Sequence, residues 1–172
     1  MQSHPIQTTS LEKKMVETMP TLMNALAPND VFNFDALFLG CATILLCLII
    51  QALFVMVVTS KFKAGVRNLI NGHRWILAQI VFFAGILLLL ISHLVQIYIW
   101  GLSLTIFDII PNSHQAMVFA GSTYTTVGFV TDPLPVHWQL ITVIMAASGF
   151  FSFGWSTAVM FLLSQALFPS EN

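Results

Sequence analysis

The chain has 172 residues, of which 57% are hydrophobic and only 8% are Asp, Glu, Lys or Arg, with a net charge of −1. Soluble domains carry about 25% charged residues, so this chain has too little charge to cover a water-facing surface, and its balance offers no basic face to nucleic acid. The apolar residues come in long blocks rather than amphipathic stripes, which makes lipid the expected solvent and an all-α membrane protein with three transmembrane helices the expected fold.

Residues 1–33 are mixed and polar, broken by Pro5, Pro20 and Pro28. Ser10 can cap a helix start, and Lys13 can pair with Glu17 across one turn. Leu11, Met15, Met19, Leu22, Met23 and Leu26 sketch an apolar stripe. The segment reads either as a short amphipathic helix at the membrane surface or on a neighbouring subunit, or as a disordered tail. It lacks the basic start running straight into an apolar core that a cleavable signal peptide needs, so the first span is expected to be retained. That span lies within 34–60. Ala36 to Thr59 is uncharged and makes about 36 Å of helix, enough to cross a hydrocarbon core of about 30 Å. Gln51 is its one strongly polar residue, expected to bond a second helix. Cys41 and Cys47 point in different directions on this helix and read as small apolar residues rather than a disulfide.

Residues 61–74 are expected to form a loop that holds Lys61, Lys63, Arg67 and Arg74, four of the six basic residues, and no acid. Basic loops stay on the cytoplasmic side, which places the N-terminus outside and the short tail at 167–172 inside a plasma or bacterial inner membrane. Span two begins at Trp75. Trp75 and Trp100, about 37 Å apart along a helix, suit an aromatic anchor at each interface. Ser92, His93 and Gln96 put polarity toward its far end. His93 reads as a pH sensor, a pore contact or a hydrogen-bonded packing residue. The five histidines are not spaced as metal ligands, and no cofactor is expected.

Pro111, Asn112 and Ser113 mark the start of a short helix running to about Tyr124, too short and polar to span. It is expected to enter from outside and stop, its C-terminal carbonyls favouring a cation. An extended stretch then returns outward, with Gly128 bending where a side chain would forbid it. Such backbone inside a membrane must be enclosed by protein or line a water-filled path. Pro133 and Pro135 mark the turn before span three, expected from about Trp138 to Leu163.

Thr123-Tyr124-Thr125-Thr126-Val127-Gly128-Phe129 resembles the T-x-T-T-V-G-Y/F stretch of potassium-channel pore loops, and Ala120 falls where the family's pore helix often has alanine. The order of span, short helix, filter and span over about residues 73–166 is similar to that family's two-helix pore unit, with one extra helix ahead. The resemblance implies a re-entrant pore helix and filter loop in a homotetramer. Thr126, Val127, Gly128, Phe129 and Val130 would supply the ion-binding oxygens for a permeant monovalent cation, potassium first, supported by Thr123, Thr125 and Asp132. The family has glycine and then an acid after the aromatic residue, where this chain has Val130 and Thr131, with Asp132 one place later. Val118 and Phe119 replace its paired tryptophans. Val130 held in that glycine's left-handed conformation would cost about 1–3 kcal/mol, so the outer filter is expected to take another shape.

In the last span Ser148, Ser152 and Ser156 recur on one face, with Gly149 beside them. They read as a pore-lining wall with Gly149 as hinge, while Phe150, Phe151, Phe153 and Trp155 pack outward, or as small residues that let helices approach closely. The expected function is a tetrameric cation channel whose partners are lipid, further copies and other membrane subunits. The alternative is a non-conducting, channel-derived accessory or assembly subunit. An enzyme is not expected, because no nucleophile–base pair or paired intramembrane carboxylates occur.

Overall fold

The computed structural model describes residues 34–71, 75–130 and 134–167, together with Lys14, Thr18 and Met19, which are helical. The rest of the expected N-terminal amphipathic segment lies outside the described residues, as do Thr131, Asp132, Pro133 and the tail beyond Leu167. Helix α1 spans Phe34–Asn71, α2 Trp75–Ile106, α3 Ser113–Tyr124 and α4 Leu140–Leu167, with a single 3-10 turn at Val136–Trp138 before α4. No strand occurs among the described residues. Three segments, Phe34–Phe62, Trp75–Ile106 and Val136–Leu167, are each long and apolar enough to cross a membrane.

Two of these helices run further than expected. α2 continues past Trp100 to Ile106, and α1 continues past Thr59 through the basic stretch as far as Asn71. The expected loop at 61–74 is therefore largely helix. The reason is local: Lys61, Lys63, Ala64, Arg67 and Leu69 are good helix formers, and no proline interrupts them. At 38 residues α1 is about 57 Å long, well beyond a hydrocarbon core of about 30 Å.

The bundle is layered along its length. One apolar cluster joins Ala36, Leu39 and Cys47 of α1 to Trp100, Leu104, Phe119, Ala120, Ile141 and Met145. A second joins Val58 and Phe62 to Ala78, Leu89, Val159 and Leu163 at the other end. Between them lies a layer of buried polar side chains from α1, α2 and α4: Gln51, Ser92, His93, Gln96, Ser148, Ser152 and Ser156, reached by the end of α3.

α3 starts as the sequence predicts, with the Asn112 side chain accepting from the Gln115 N–H at 3.1 Å. It then runs antiparallel beside α2. Met117 sits against Gly101, Gly121 against Ile97, and Tyr124 against His93. His93 is about 20 Å of helix from Ile106, so α3 ends at middle depth, short of the bundle's far end.

Glycine makes that arrangement possible on the α4 side. A Cβ on Gly149 would overlap the Tyr124 carbonyl, so only glycine lets α4 pass the end of α3 this closely. Gly40 is also tight, but its Cβ would meet only the tip of the Ile144 side chain, which can move. Gly149→Ala is expected to destabilise the protein by about 1–3 kcal/mol through overpacking against backbone. Gly40→Ala should cost less. Thermal unfolding of both variants in the same lipid or detergent tests this, and equal losses would contradict the close approach at Tyr124.

Candidate functional site

The loop after α3 is fastened to the helix it leaves. Thr125 N–H donates to the Gly121 carbonyl at 3.1 Å, Thr126 N–H to Thr123 at 2.9 Å and Gly128 N–H to Ser122 at 3.0 Å. The Thr125 hydroxyl adds a second bond to Gly121 at 2.7 Å. The carbonyls expected to face a cation at the end of α3 are thus occupied by the loop's own donors. This is the usual way a helix end satisfies its last carbonyls. Ser122 itself is buried, and its hydroxyl has no hydrogen-bond partner among the described residues.

These bonds force an unusual backbone. Thr126 has φ +59° and Gly128 φ +64°, both left-handed, while Val127 between them does not. Glycine takes this conformation freely, whereas a β-branched threonine is strained by about 1–3 kcal/mol. The sequence placed the risk of strain at Val130 instead. Val130 is not left-handed and packs partly buried against the first apolar cluster. The expected different outer shape at Val130 and the strain observed at Thr126 are therefore separate features.

Thr126, Val127, Gly128 and Phe129 are exposed, Val127 at 66% and Phe129 at 70%. Their N–H groups at 126 and 128 point back to α3. Their carbonyls accept no hydrogen bond among the described residues. The Thr126 hydroxyl turns onto the Thr125 carbonyl at 2.7 Å. Thr123 and Thr125 lie beneath this loop, buried and half-buried. Asp132 lies outside the described residues.

The serine face of α4 is placed differently from the loop. Ser148, Ser152 and Ser156 are all buried within this one chain. Ser148 accepts from the Trp100 indole N–H at 3.3 Å, Ser152 donates to Gln96 Oε1 at 2.9 Å, and Ser156 accepts from Gln51 Nε2 at 2.8 Å. Gly149 meets Tyr124. These four residues thus join α4 to its neighbours within the chain. Phe150, Phe151 and Trp155 face outward, but Phe153 stacks on His93 with ring centroids 4.3 Å apart.

Gln51 is the hub that the sequence marked only as a helix contact. Its Oε1 accepts from Gln96 Nε2 at 2.7 Å and lies 2.9 Å from the Ser92 hydroxyl, while its amide N–H reaches Ser156. A polar residue alone in an apolar span was the available signal. Its three partners come from helices distant in sequence. Tyr124, whose hydroxyl lies 3.0 Å from His93 Nδ1, was not singled out because it sits inside the motif as its variable position.

No family model matches the chain, and no curated protein or solved structure matches it either.

Gln51→Leu removes three bonds at once. Hydrogen bonds within membrane bundles average about 0.6 kcal/mol each, so a loss of roughly 2 kcal/mol is expected. The measurement is unfolding of the reconstituted protein by denaturant or heat. A variant as stable as wild type would show that the polar layer contributes nothing to holding α1.

Proposed function

We propose that this chain is one subunit of a cation channel of the potassium-channel type, in which four copies surround an axis and the loop 126–129 of each forms the filter. The observation that carries this reading is the set of carbonyls on the exposed residues Thr126 to Phe129, which accept no hydrogen bond among the described residues. Backbone carbonyls in a membrane protein need a partner, and a ring of them can replace the hydration shell of a monovalent cation. Two further features support it. α3 ends at middle depth, as a helix entering from one side and stopping would. Thr126 carries backbone strain, which tends to collect at functional sites.

The positive-inside rule puts Lys61, Lys63, Arg67 and Arg74 in the cytoplasm, and hence α3 and the loop on the outer side. In such a tetramer the serine face of α4 is already used inside each subunit. The face available to a shared cavity is the opposite one, with the small exposed residues Gly154, Thr157 and Ala158. A non-conducting, channel-derived subunit of a larger membrane complex is the second reading, favoured by Val130 standing where the family's outer glycine would be.

Potassium flux into liposomes holding the purified protein tests the proposal. Wild type should carry cation flux, and Gly128→Ala should abolish it while the oligomer survives. Nothing lies within 4 Å of a Cβ at Gly128, so only the left-handed φ is penalised, by about 1–2 kcal/mol. Flux absent from wild type under all voltages and cation gradients would overturn conduction. Thiol labelling gives a second test: in a Cys41→Ser background, Thr157→Cys should react from the cytoplasmic solution and Ser152→Cys should not.

A further inference from the structure

α1 and α2 run antiparallel, and toward the basic end of α1 their facing sides leave a groove of about 150 Å³. On α1 its floor is Val58 and Phe62, both buried, with Val57 and Lys61 exposed one turn apart on the rim. On α2 the facing positions are Val81, Ala84, Gly85 and Leu88, spaced to line one side of a helix. Two of these are small, which keeps the groove open. A Cβ on Gly85 would already stand 3.4 Å from the Val58 side chain and 3.7 Å from Leu163.

The groove has a direction. Gly65 lies against Val81, and Val58 against Gly85. Lys61 and Val81 therefore mark the end nearest the basic residues, and Leu88 lies about 10 Å deeper along α2. Lys61 is the one polar side chain of the lining. The hydroxyls beside it are spent on α1 itself, Thr59 on the Val55 carbonyl at 2.8 Å and Ser60 on the Val57 carbonyl at 3.1 Å. No acid occurs from 36 to 107, whereas Lys63 and Arg67 follow Lys61 on the same helix within two turns. The acids among the described residues, Asp35 and Asp108, belong to the opposite end of the bundle, Asp35 about 39 Å away along α1. A second copy lying parallel in the same membrane would bring its own Asp35 and Asp108 to that far end too. An apolar slot that ends in an unneutralised cation instead matches an amphiphile with an acyl tail and an anionic head.

A larger groove between the same helices, about 300 Å³, lies at the other end and is bordered by Ala42, Leu46, Leu102 and Phe107. No basic residue lines it. Its hydroxyls, Thr43 and Ser103, bond carbonyls of their own helices at 2.9 and 2.8 Å. It offers room for an apolar chain but nothing that distinguishes one headgroup from another.

We propose that the groove at Lys61 is a binding site for an anionic phospholipid of the cytoplasmic leaflet, with the lipid phosphate at Lys61 and an acyl chain lying along Val57, Ala84 and Leu88. The leaflet follows from the positive-inside rule. The site does not depend on whether the chain conducts ions.

Native mass spectrometry of the purified full chain, titrated with dioleoyl phosphatidylglycerol or dioleoyl phosphatidylcholine, tests this. Wild type should bind the first phosphatidylglycerol at least about fivefold more tightly than the first phosphatidylcholine, the factor that one basic residue contributes at an anionic headgroup. Lys61→Gln should cut this preference about fivefold, and Lys61→Arg should keep it. Ala84→Phe and Val57→Phe, each filling the groove from an exposed position, should abolish the tight site, whereas Ala42→Phe in the outer groove should not. Phosphatidylglycerol should raise the unfolding temperature of wild type above that of Lys61→Gln, while the two unfold alike in phosphatidylcholine. An undiminished preference in Lys61→Gln, or in both groove-filling variants, reduces the effect to diffuse attraction by the basic end and overturns the site. Glu171 lies outside the described residues, and Glu171→Gln should leave the preference unchanged. A fivefold rise there would make Glu171 the partner of Lys61 and overturn the proposal as well.

Discussion

Everything in this bundle is arranged around the need to satisfy polar side chains at the centre of an apolar stack. Between two apolar clusters, Gln51, His93, Gln96, Ser152, Ser156 and Tyr124 exchange hydrogen bonds that no lipid could supply. Apolar contacts alone would let three such helices slide or rotate against one another, because lipid tails compete equally for them. The polar layer sets the rotation of each helix and the height at which α3 stops. In low dielectric, such a hydrogen-bonded network specifies one arrangement more sharply than packing does.

The loop inherits its geometry from that layer. Tyr124 is pinned on one side by His93 and on the other by the backbone contact with Gly149. The following residues then have little freedom. Three loop N–H groups return to the last turn of α3, and the chain can make those bonds only by passing through left-handed conformations at Thr126 and Gly128. The carbonyls of 126–129 are the other side of the same constraint: the N–H groups at 126 and 128 are used on α3, while the acceptors of this exposed stretch take no hydrogen bond among the described residues.

Much of the scaffold was legible from the residues. Three spans follow from block length and hydropathy, and the start of α3 from Pro111, Asn112 and Ser113, because both signals are local. The end of α1 was misplaced, since basic residues mark a membrane boundary without ending a helix, and nothing between Lys61 and Asn71 breaks one. The serine face of α4 was recognised as a face, but periodicity cannot say whether a face looks toward its own chain or toward a shared axis. That depends on Gln51, Gln96 and His93 arriving from other helices. The strain at Thr126 was invisible for a similar reason: a β-branched residue gives no hint of a left-handed backbone until the bonds that impose it are known.

The conformation at Thr126 has a consequence for anyone who engineers this chain. Glycine or asparagine would relax that position and raise the folding stability by something like the strain now carried, about 1–3 kcal/mol. A screen that rewards only heat resistance or expression would therefore drift away from threonine there. It would discard the hydroxyl that now donates to the Thr125 carbonyl, and the gain in yield would not report that loss.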